Sequence, residues 1–163
     1  MIAAFMVAVA FGAMLVHQRV TDVEKWMLLI VLLFGGCGYL GLVLANSYFA
    51  FLSPSWLSGF WSTCTIIFIT AAVVGYHPYY GFFGRKDVRI WASMLGLFFL
   101  TGALVNVWFS QILTFILLLI IFVIGLFAGF YLQNLLSLQW SRFRYLPFVP
   151  LVFLVFATAG KLL

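Results

Sequence analysis

The chain has 163 residues and a net charge of +5, with 67% hydrophobic and only 7% charged residues. Soluble globular domains carry about 25% charged residues, and a chain of this size cannot hide so much apolar surface from water. The composition excludes a soluble domain and predicts a membrane protein, and long apolar runs without alternating polar residues favour helices over a β-barrel. We interpret the basic excess as the mark of one membrane side and not as a nucleic-acid-binding surface.

Six apolar segments follow one another along the chain, and we interpret each as one helix of a transmembrane bundle. The apolar run 88–136 is much longer than one crossing of a ~30 Å hydrocarbon core requires, so we expect it to form a hairpin. The turn is predicted at the polar group Asn106, Ser110 and Gln111. A single transmembrane domain, 1–163, results, with spans at about 2–17, 26–45, 57–76, 89–109, 112–133 and 146–163.

The last span is the weakest of these predictions, because it is short and begins with Pro147 and Pro150. If it lay on the surface or re-entered from one side, five spans would remain and the C-terminus would lie inside. The sequence therefore predicts an all-α polytopic transmembrane helix bundle of about six spans, with five spans as the alternative.

All charged residues except Lys161 fall into three clusters, within 19–25, 85–89 and 142–144. In a six-span chain the loops after spans one, three and five share one side of the membrane, and these are the loops that hold the clusters. The opposite loops contain no Lys or Arg. Under the positive-inside rule the basic side faces inward, which places the N-terminus on the outer side.

No Asp, Glu, Lys or Arg lies deep inside any predicted span. Proton pumps, ion exchangers and voltage sensors depend on such groups, so the chain is not expected to carry an ion path alone. The carboxylates, Asp22, Glu24 and Asp87, all belong to loops and are too few for a metal-dependent membrane enzyme. We predict no catalytic residue and no metal site.

The histidines, His17 and His77, both fall toward the basic side. If spans one and three were neighbours, the two imidazoles could ligate one haem. The simpler interpretation is an interfacial His17 and a loop His77, so we predict no cofactor. Cys37 and Cys64 lie inside spans two and three, and two buried thiols acting as small apolar residues are simpler than a disulfide in mid-membrane.

Glycines and basic residues are the remaining candidates for a functional role. Small residues let helix backbones approach closely, and a glycine group can also form a kink. Packing or a kink is predicted at Gly35, Gly36, Gly38, Gly41, Gly125 and Gly129. Contact with lipid headgroups is predicted at the basic face formed by Arg85, Lys86, Arg89, Arg142 and Arg144.

The first 75 residues resemble chain 6 of the proton-pumping NADH:quinone oxidoreductase in its mitochondrially encoded form. The matching features are a short first span, a glycine-rich second span containing residues 33–39, and Asn46-Ser47-Tyr48-Phe49 before the third span. That family has five spans where six are predicted here, and the resemblance carries over no functional residue. It implies a membrane subunit of a respiratory electron-transport complex.

We therefore expect a non-catalytic integral membrane subunit of a larger complex, most consistent with a respiratory-chain, NADH:quinone oxidoreductase-like assembly. By itself the chain is not expected to be an enzyme, although the complex would be an oxidoreductase. Its expected partners are other membrane subunits and membrane lipids, without nucleic acid. The mitochondrial inner membrane and the bacterial plasma membrane both fit this composition.

Two other functions stay open at the level of sequence. A small autonomous transporter or channel for a neutral substrate is supported by the glycines of span two and the hydroxyl groups of spans three and four. A membrane enzyme acting on lipid or quinone could use the basic face to hold an anionic headgroup, but no catalytic base is evident.

Overall fold

The computed structural model describes residues 1–16, 22–47, 54–77, 81–83, 88–105, 110–139 and 145–162. These residues form six α-helices, and the prediction of an all-helical chain is confirmed for them. The helices are α1 (Ile2–Leu15), α2 (Val23–Ser47), α3 (Pro54–Gly75), α4 (Val88–Ala103), α5 (Gln111–Gln139) and α6 (Val149–Leu162), the last preceded by a 3-10 turn at Leu146–Phe148.

Three of these helices are long and apolar enough to cross a membrane: α2, the segment Ser55–Gly75 of α3, and α5. The helices α1, α4 and α6 are apolar but shorter. The described structure thus has the helices that a membrane protein requires, while the number of crossings and their sidedness remain sequence predictions.

Local sequence explains where several helices begin. Pro54 opens α3, a position where its missing N–H costs nothing and its fixed φ suits the helix. Ser110 caps α5, because its hydroxyl accepts a hydrogen bond from the backbone N–H of Leu113 at 3.2 Å. The predicted hairpin turn therefore ends at Ser110, although Asn106 lies outside the described residues.

Two helix ends differ from the predicted spans by six residues, and the others differ by three or fewer. Helix α4 ends at Ala103, earlier than the predicted 109, and residues 106–109 lie outside the described part of the chain. Helix α5 continues past Gln133 to Gln139. The side chain of Gln133 is buried and its amide nitrogen donates to the carbonyl of Leu146 at 3.0 Å, so this polar residue joins α5 to the turn before α6 instead of ending the helix.

The six helices form a ring in the order α1, α5, α2, α4, α3, α6 and back to α1. Helix α1 also contacts α2 and α4, so it lies toward the interior. Its buried residues cover every side of the helix, in a nearly continuous run from Val7 to Leu15. A helix that is apolar all round is expected in such a buried position.

Neighbouring contacts define the helix directions. Phe5 and Gly12 of α1 lie near Gly125 and Phe130 of α5, so these two helices are parallel. The pairs Phe34–Phe98 and Gly41–Ala103 show that α2 and α4 are also parallel. Trp61 contacts Thr101 and Cys64 contacts Ser93, so α3 and α4 are antiparallel. Helices therefore alternate in direction along the chain.

Five fully buried phenylalanines fill the centre of the ring, one from each of the first five helices: Phe11, Phe34, Phe68, Phe98 and Phe122. The ring of Phe11 lies 5.0 Å from that of Phe68 and 5.0 Å from that of Phe98. Phe34 stacks on Phe122 at 3.7 Å and meets Phe98 edge-on at 5.4 Å. Such aromatic pairs add about 0.5–1.5 kcal/mol each beyond the area they bury.

Two helix crossings bring backbone directly against backbone. A Cβ atom at Gly129 of α5 would lie 2.0 Å from the carbonyl oxygen of Val9 in α1, and one at Gly12 would lie 2.0 Å from that of Leu126. At the α2–α4 crossing, a Cβ at Gly102 would lie 2.0 Å from the carbonyl oxygen of Gly38. Neither crossing has room for a single added methyl group.

A matched pair of glycine substitutions tests these crossings. We expect Gly129→Ala to lower the free energy of unfolding by about 1–3 kcal/mol, because the added methyl group must push α1 away from α5. A Cβ atom added at Gly36 would meet no other atom within 4 Å. Gly36→Ala should therefore be neutral or stabilising, since alanine is the better helix former by about 1 kcal/mol. Thermal unfolding of both variants in mild detergent measures the difference. Equal effects would contradict the described crossing.

Candidate functional site

An open groove of about 650 Å³ runs along the outer side of the bundle between α3 and α4. It begins beside Val74, Gly75 and Arg89 and extends inward to Cys64 and Ser93. Pockets that hold small organic ligands have volumes of about 300–1,000 Å³. The groove has a volume in this range, so we take it as a candidate binding site.

Small side chains create this groove. Four small residues belong to its lining, Ala71 and Gly75 on α3 and Ala92 and Ser93 on α4, so little side-chain volume fills the space between the two helices there. Larger apolar side chains stand at its rim, including Ile67 and Val74, which are 55% and 78% exposed. The groove is thus apolar and opens away from the bundle.

The polar groups that line the groove donate within the protein. The hydroxyl of Thr70 donates to the carbonyl of Ile66 at 2.8 Å, and that of Ser93 donates to the carbonyl of Arg89 at 2.8 Å. The thiol of Cys64 donates to the carbonyl of Ser93 at 3.5 Å. With these hydrogens already used, the inner groove offers a ligand mainly hydrocarbon contact.

Among the described residues that line the groove, Arg89 alone carries a formal charge. It is exposed and lies in the first turn of α4, where no acidic residue is present. Among the described residues it forms no ion pair, whereas Lys25 at the start of α2 is paired with Asp22. The guanidinium of Arg89 is therefore available to an anion.

The helix directions bring the described cluster residues Lys25 and Arg89 to the same end of the bundle. This basic end holds the C-terminal ends of α1, α3 and α5 and the N-terminal ends of α2, α4 and α6. In the sequence, every Lys and Arg except Lys161 belongs to these helix starts or to the residues between them. Of the predicted basic face, the structure describes Arg89, while four members lie outside the described residues: Arg85, Lys86, Arg142 and Arg144.

Aromatic side chains close the basic end. Phe82 and Phe83 are buried, although they belong to the connection between α3 and α4. Phe82 lies 4.9 Å from the ring of Tyr76, and Phe83 lies 6.0 Å from that of Trp26. Gly81, which precedes them and bonds to the backbone of His77, has a φ of 69° that favours glycine. The centre of the bundle is thus covered at this end.

The two histidines that we considered as alternative haem ligands are not both described. His17 lies outside the described residues, and His77 is exposed after the end of α3, where its backbone N–H and carbonyl bond to Gly81. Within the described part of the chain no three His, Cys, Asp or Glu side chains gather as a metal site would require. Cys37 and Cys64 are both free thiols.

The predicted glycines differ in their surroundings. Gly41 meets the backbone of Phe99 on α4, while Gly125 and Gly129 meet α1. Gly38 contributes the carbonyl that Gly102 approaches. Gly35 has only a side-chain contact, a methyl of Leu119 at 3.6 Å from its added Cβ, and Gly36 faces open space. All four glycines of span two lie within the continuous helix α2.

Sequence reasoning missed two glycines that the crossings require, Gly12 and Gly102. The pair Ala8 and Gly12 has the small-residue spacing of four that marks close helix contacts, so it could have been found. Gly102 has no such partner in its own helix. The groove was also missed, because its lining comes from two helices whose register only the fold defines.

Comparison with models of protein families, with curated proteins and with solved structures finds no match to this chain. Its function must therefore be argued from its own residues.

Adjacent alanines test whether the groove is open. Ala71 lines the groove, and its neighbour Ala72 is fully buried in the core. We expect Ala72→Phe to lower the free energy of unfolding by about 1–3 kcal/mol through overpacking. Ala71 is only partly buried, so Ala71→Phe should lower the free energy of unfolding less than Ala72→Phe does, because part of the ring can occupy the groove. Thermal unfolding in detergent compares the two, and a larger loss for Ala71→Phe would show that the seam is closed.

Proposed function

We propose that the chain is a non-catalytic integral membrane subunit of a larger complex. One observation carries the proposal: a filled aromatic interior is surrounded by helices whose outer faces are apolar. The centre holds five fully buried phenylalanines, and the large exposed side chains of α2, α3, α5 and α6 are predominantly aliphatic or aromatic. Such an object contributes surface for contact with lipid and with other membrane helices.

Helix α5 offers the longest of these surfaces. It has 29 residues, which gives a length of ~43 Å against a hydrocarbon core of ~30 Å. Exposed apolar side chains follow it from end to end: Ile112, Leu113, Ile116, Leu117, Ile120, Ile124, Phe127, Tyr131, Leu132, Leu135 and Leu138. In the proposed complex this face is the first candidate for packing against neighbouring subunits.

Buried polar groups of the described residues stay within the protein. The hydroxyls of Ser62, Thr65 and Thr101 donate to carbonyls one turn earlier in their own helices. The indole N–H of Trp61 donates to Thr101 at 3.0 Å. These bonds satisfy the polar groups internally and leave a packing role as the simplest account of them.

We propose that the complex is a respiratory assembly of the NADH:quinone oxidoreductase type. The reason is the resemblance of the first 75 residues, whose glycine-rich segment 33–39 lies in α2. The proposal places the chain in the mitochondrial inner membrane or a bacterial plasma membrane, with the basic end on the inner side.

A neutral-solute transporter is the alternative. Its support in the sequence was the hydroxyl groups of spans three and four. In the structure Ser62, Thr65, Ser93 and Thr101 all donate to backbone carbonyls of their own helices, and phenylalanines occupy the centre. The subunit function accounts for both features without a further assumption.

The size of the native particle tests the subunit proposal. We expect the chain, extracted in mild detergent and run on a native gel, to migrate in a particle many times heavier than its own 18.4 kDa, together with other membrane proteins. Mass spectrometry of the band identifies the partners, and respiratory subunits among them would support the specific assignment. A homogeneous particle containing this chain alone would refute the proposal.

Solute flux tests the alternative. The purified chain in liposomes should give no more flux of glycerol or urea than empty liposomes, because the interior is filled. The Phe98→Ala variant is the comparison in which flux is expected to rise, since it removes a ring that contacts Phe11, Phe34 and Phe122. Flux through the unmodified chain would favour the transporter over the subunit.

A further inference from the structure

We infer that the groove between α3 and α4 binds one anionic phospholipid, with the phosphate at Arg89 and an acyl chain along the seam. The groove lies on the outer surface of the bundle, so a lipid could enter it sideways without opening the structure. The inference stands apart from the proposed function, because it concerns this chain's own surface in any assembly.

The lining selects an amphiphile. Thr70, Ser93 and Cys64 have their hydrogens donated to backbone carbonyls, and the surrounding surface is formed by side chains such as Ile67, Val74 and Ile90. A polar solute would find few hydrogen-bond donors there, whereas a hydrocarbon chain needs none. The occupant is therefore apolar over most of its length.

The charge at the mouth selects an anionic head. Arg89 lines the groove, is exposed and has no ion-pair partner among the described residues. The described carboxylates are Asp22 and Glu24, which lie at the start of α2 and do not line the groove. A guanidinium pairs well with phosphate oxygens, and the N-terminal turn of α4 adds a partial positive charge in the same place.

The depth of Arg89 matches this assignment. It occupies the first turn of α4 at the basic end, the level where a headgroup would lie if that end faces a membrane surface. The apolar part of the groove continues from there toward Cys64 in the middle of α3. The headgroup of a single lipid would thus lie at Arg89 while its acyl chain lies along the apolar part of the groove.

Photolabelling in the membrane tests the inference on the full chain. Membranes that contain the chain are fused with vesicles carrying either phosphatidylglycerol or phosphatidylcholine with a photoreactive group in the acyl chain. After irradiation, label is quantified on the α3 segment 66–75. We expect about fivefold more label from phosphatidylglycerol, the preference that one basic residue at the surface provides.

Three variants test whether the charge of Arg89 and the space between α3 and α4 determine the labelling. Arg89→Gln should bring the two lipids to equal labelling, whereas Lys25→Gln, at the same end but outside the groove, should keep the preference. Ala92→Trp should reduce labelling of segment 66–75 by both lipids, because the indole fills the seam. Labelling of the outer face of α5 should stay unchanged in every variant, which reports an intact bundle.

Each contrary result overturns the inference. Equal labelling of the unmodified chain by both lipids, or a preference that survives Arg89→Gln, would show that Arg89 does not select the headgroup. An equal loss in Lys25→Gln would indicate general attraction to the basic end. Unchanged labelling in Ala92→Trp would show that the chain of the lipid lies elsewhere.

Discussion

Direct backbone contact between parallel helices is the constraint on which the rest of this bundle depends. At the α1–α5 and α2–α4 crossings, glycines leave no side chain between the helices, and the added Cβ at Gly129 or Gly102 would overlap a carbonyl oxygen. Lipid tails are as apolar as leucine, so helices in a membrane gain little from burying hydrocarbon and depend on close packing. These two pairs bring the phenylalanines of α1, α2, α4 and α5 together at the centre, and α3 and α6 complete the ring.

Hydrogen bonding contributes little between the helices by comparison. Most serine and threonine hydroxyls donate to a carbonyl of their own helix, as Thr65 and Thr101 do. Trp61 donates to Thr101 across the α3–α4 interface, and Gln133 joins α5 to the turn before α6. The groove lies on the outer side of the same α3–α4 interface. Small residues leave space there, whereas the α1–α5 and α2–α4 crossings are closed by direct backbone contact. Packing density thus decides where a ligand can bind.

The sequence predicts the helices well and their neighbours poorly. Apolar length and charge clusters place the six helices to within a few residues, except at two ends: α4 stops at Ala103, and α5 continues past Gln133, which is buried and bonded to Leu146. Nothing in the sequence pairs α1 with α5, since Gly12 and Gly129 are far apart along the chain and each fits many partners. Arg89 was identified only as one of several basic residues. What separates Arg89 from the other basic residues is its position on an apolar groove. That position depends on the register of α3 against α4, which cannot be read from the local sequence.

The pairing of α1 with α5 has a consequence for biosynthesis. Helix α1 leaves the ribosome before the other described helices, but α5, whose backbone it contacts, is made only after α2, α3 and α4. Chains grow at about 5–20 residues per second, so α1 waits on the order of ten seconds for its partner. During that interval the surface around Gly12 lacks the α5 backbone that covers it in the folded bundle. Assembly of this bundle is therefore completed from the C-terminal half, and a ribosome that stalls before α5 would leave α1 without its main packing surface.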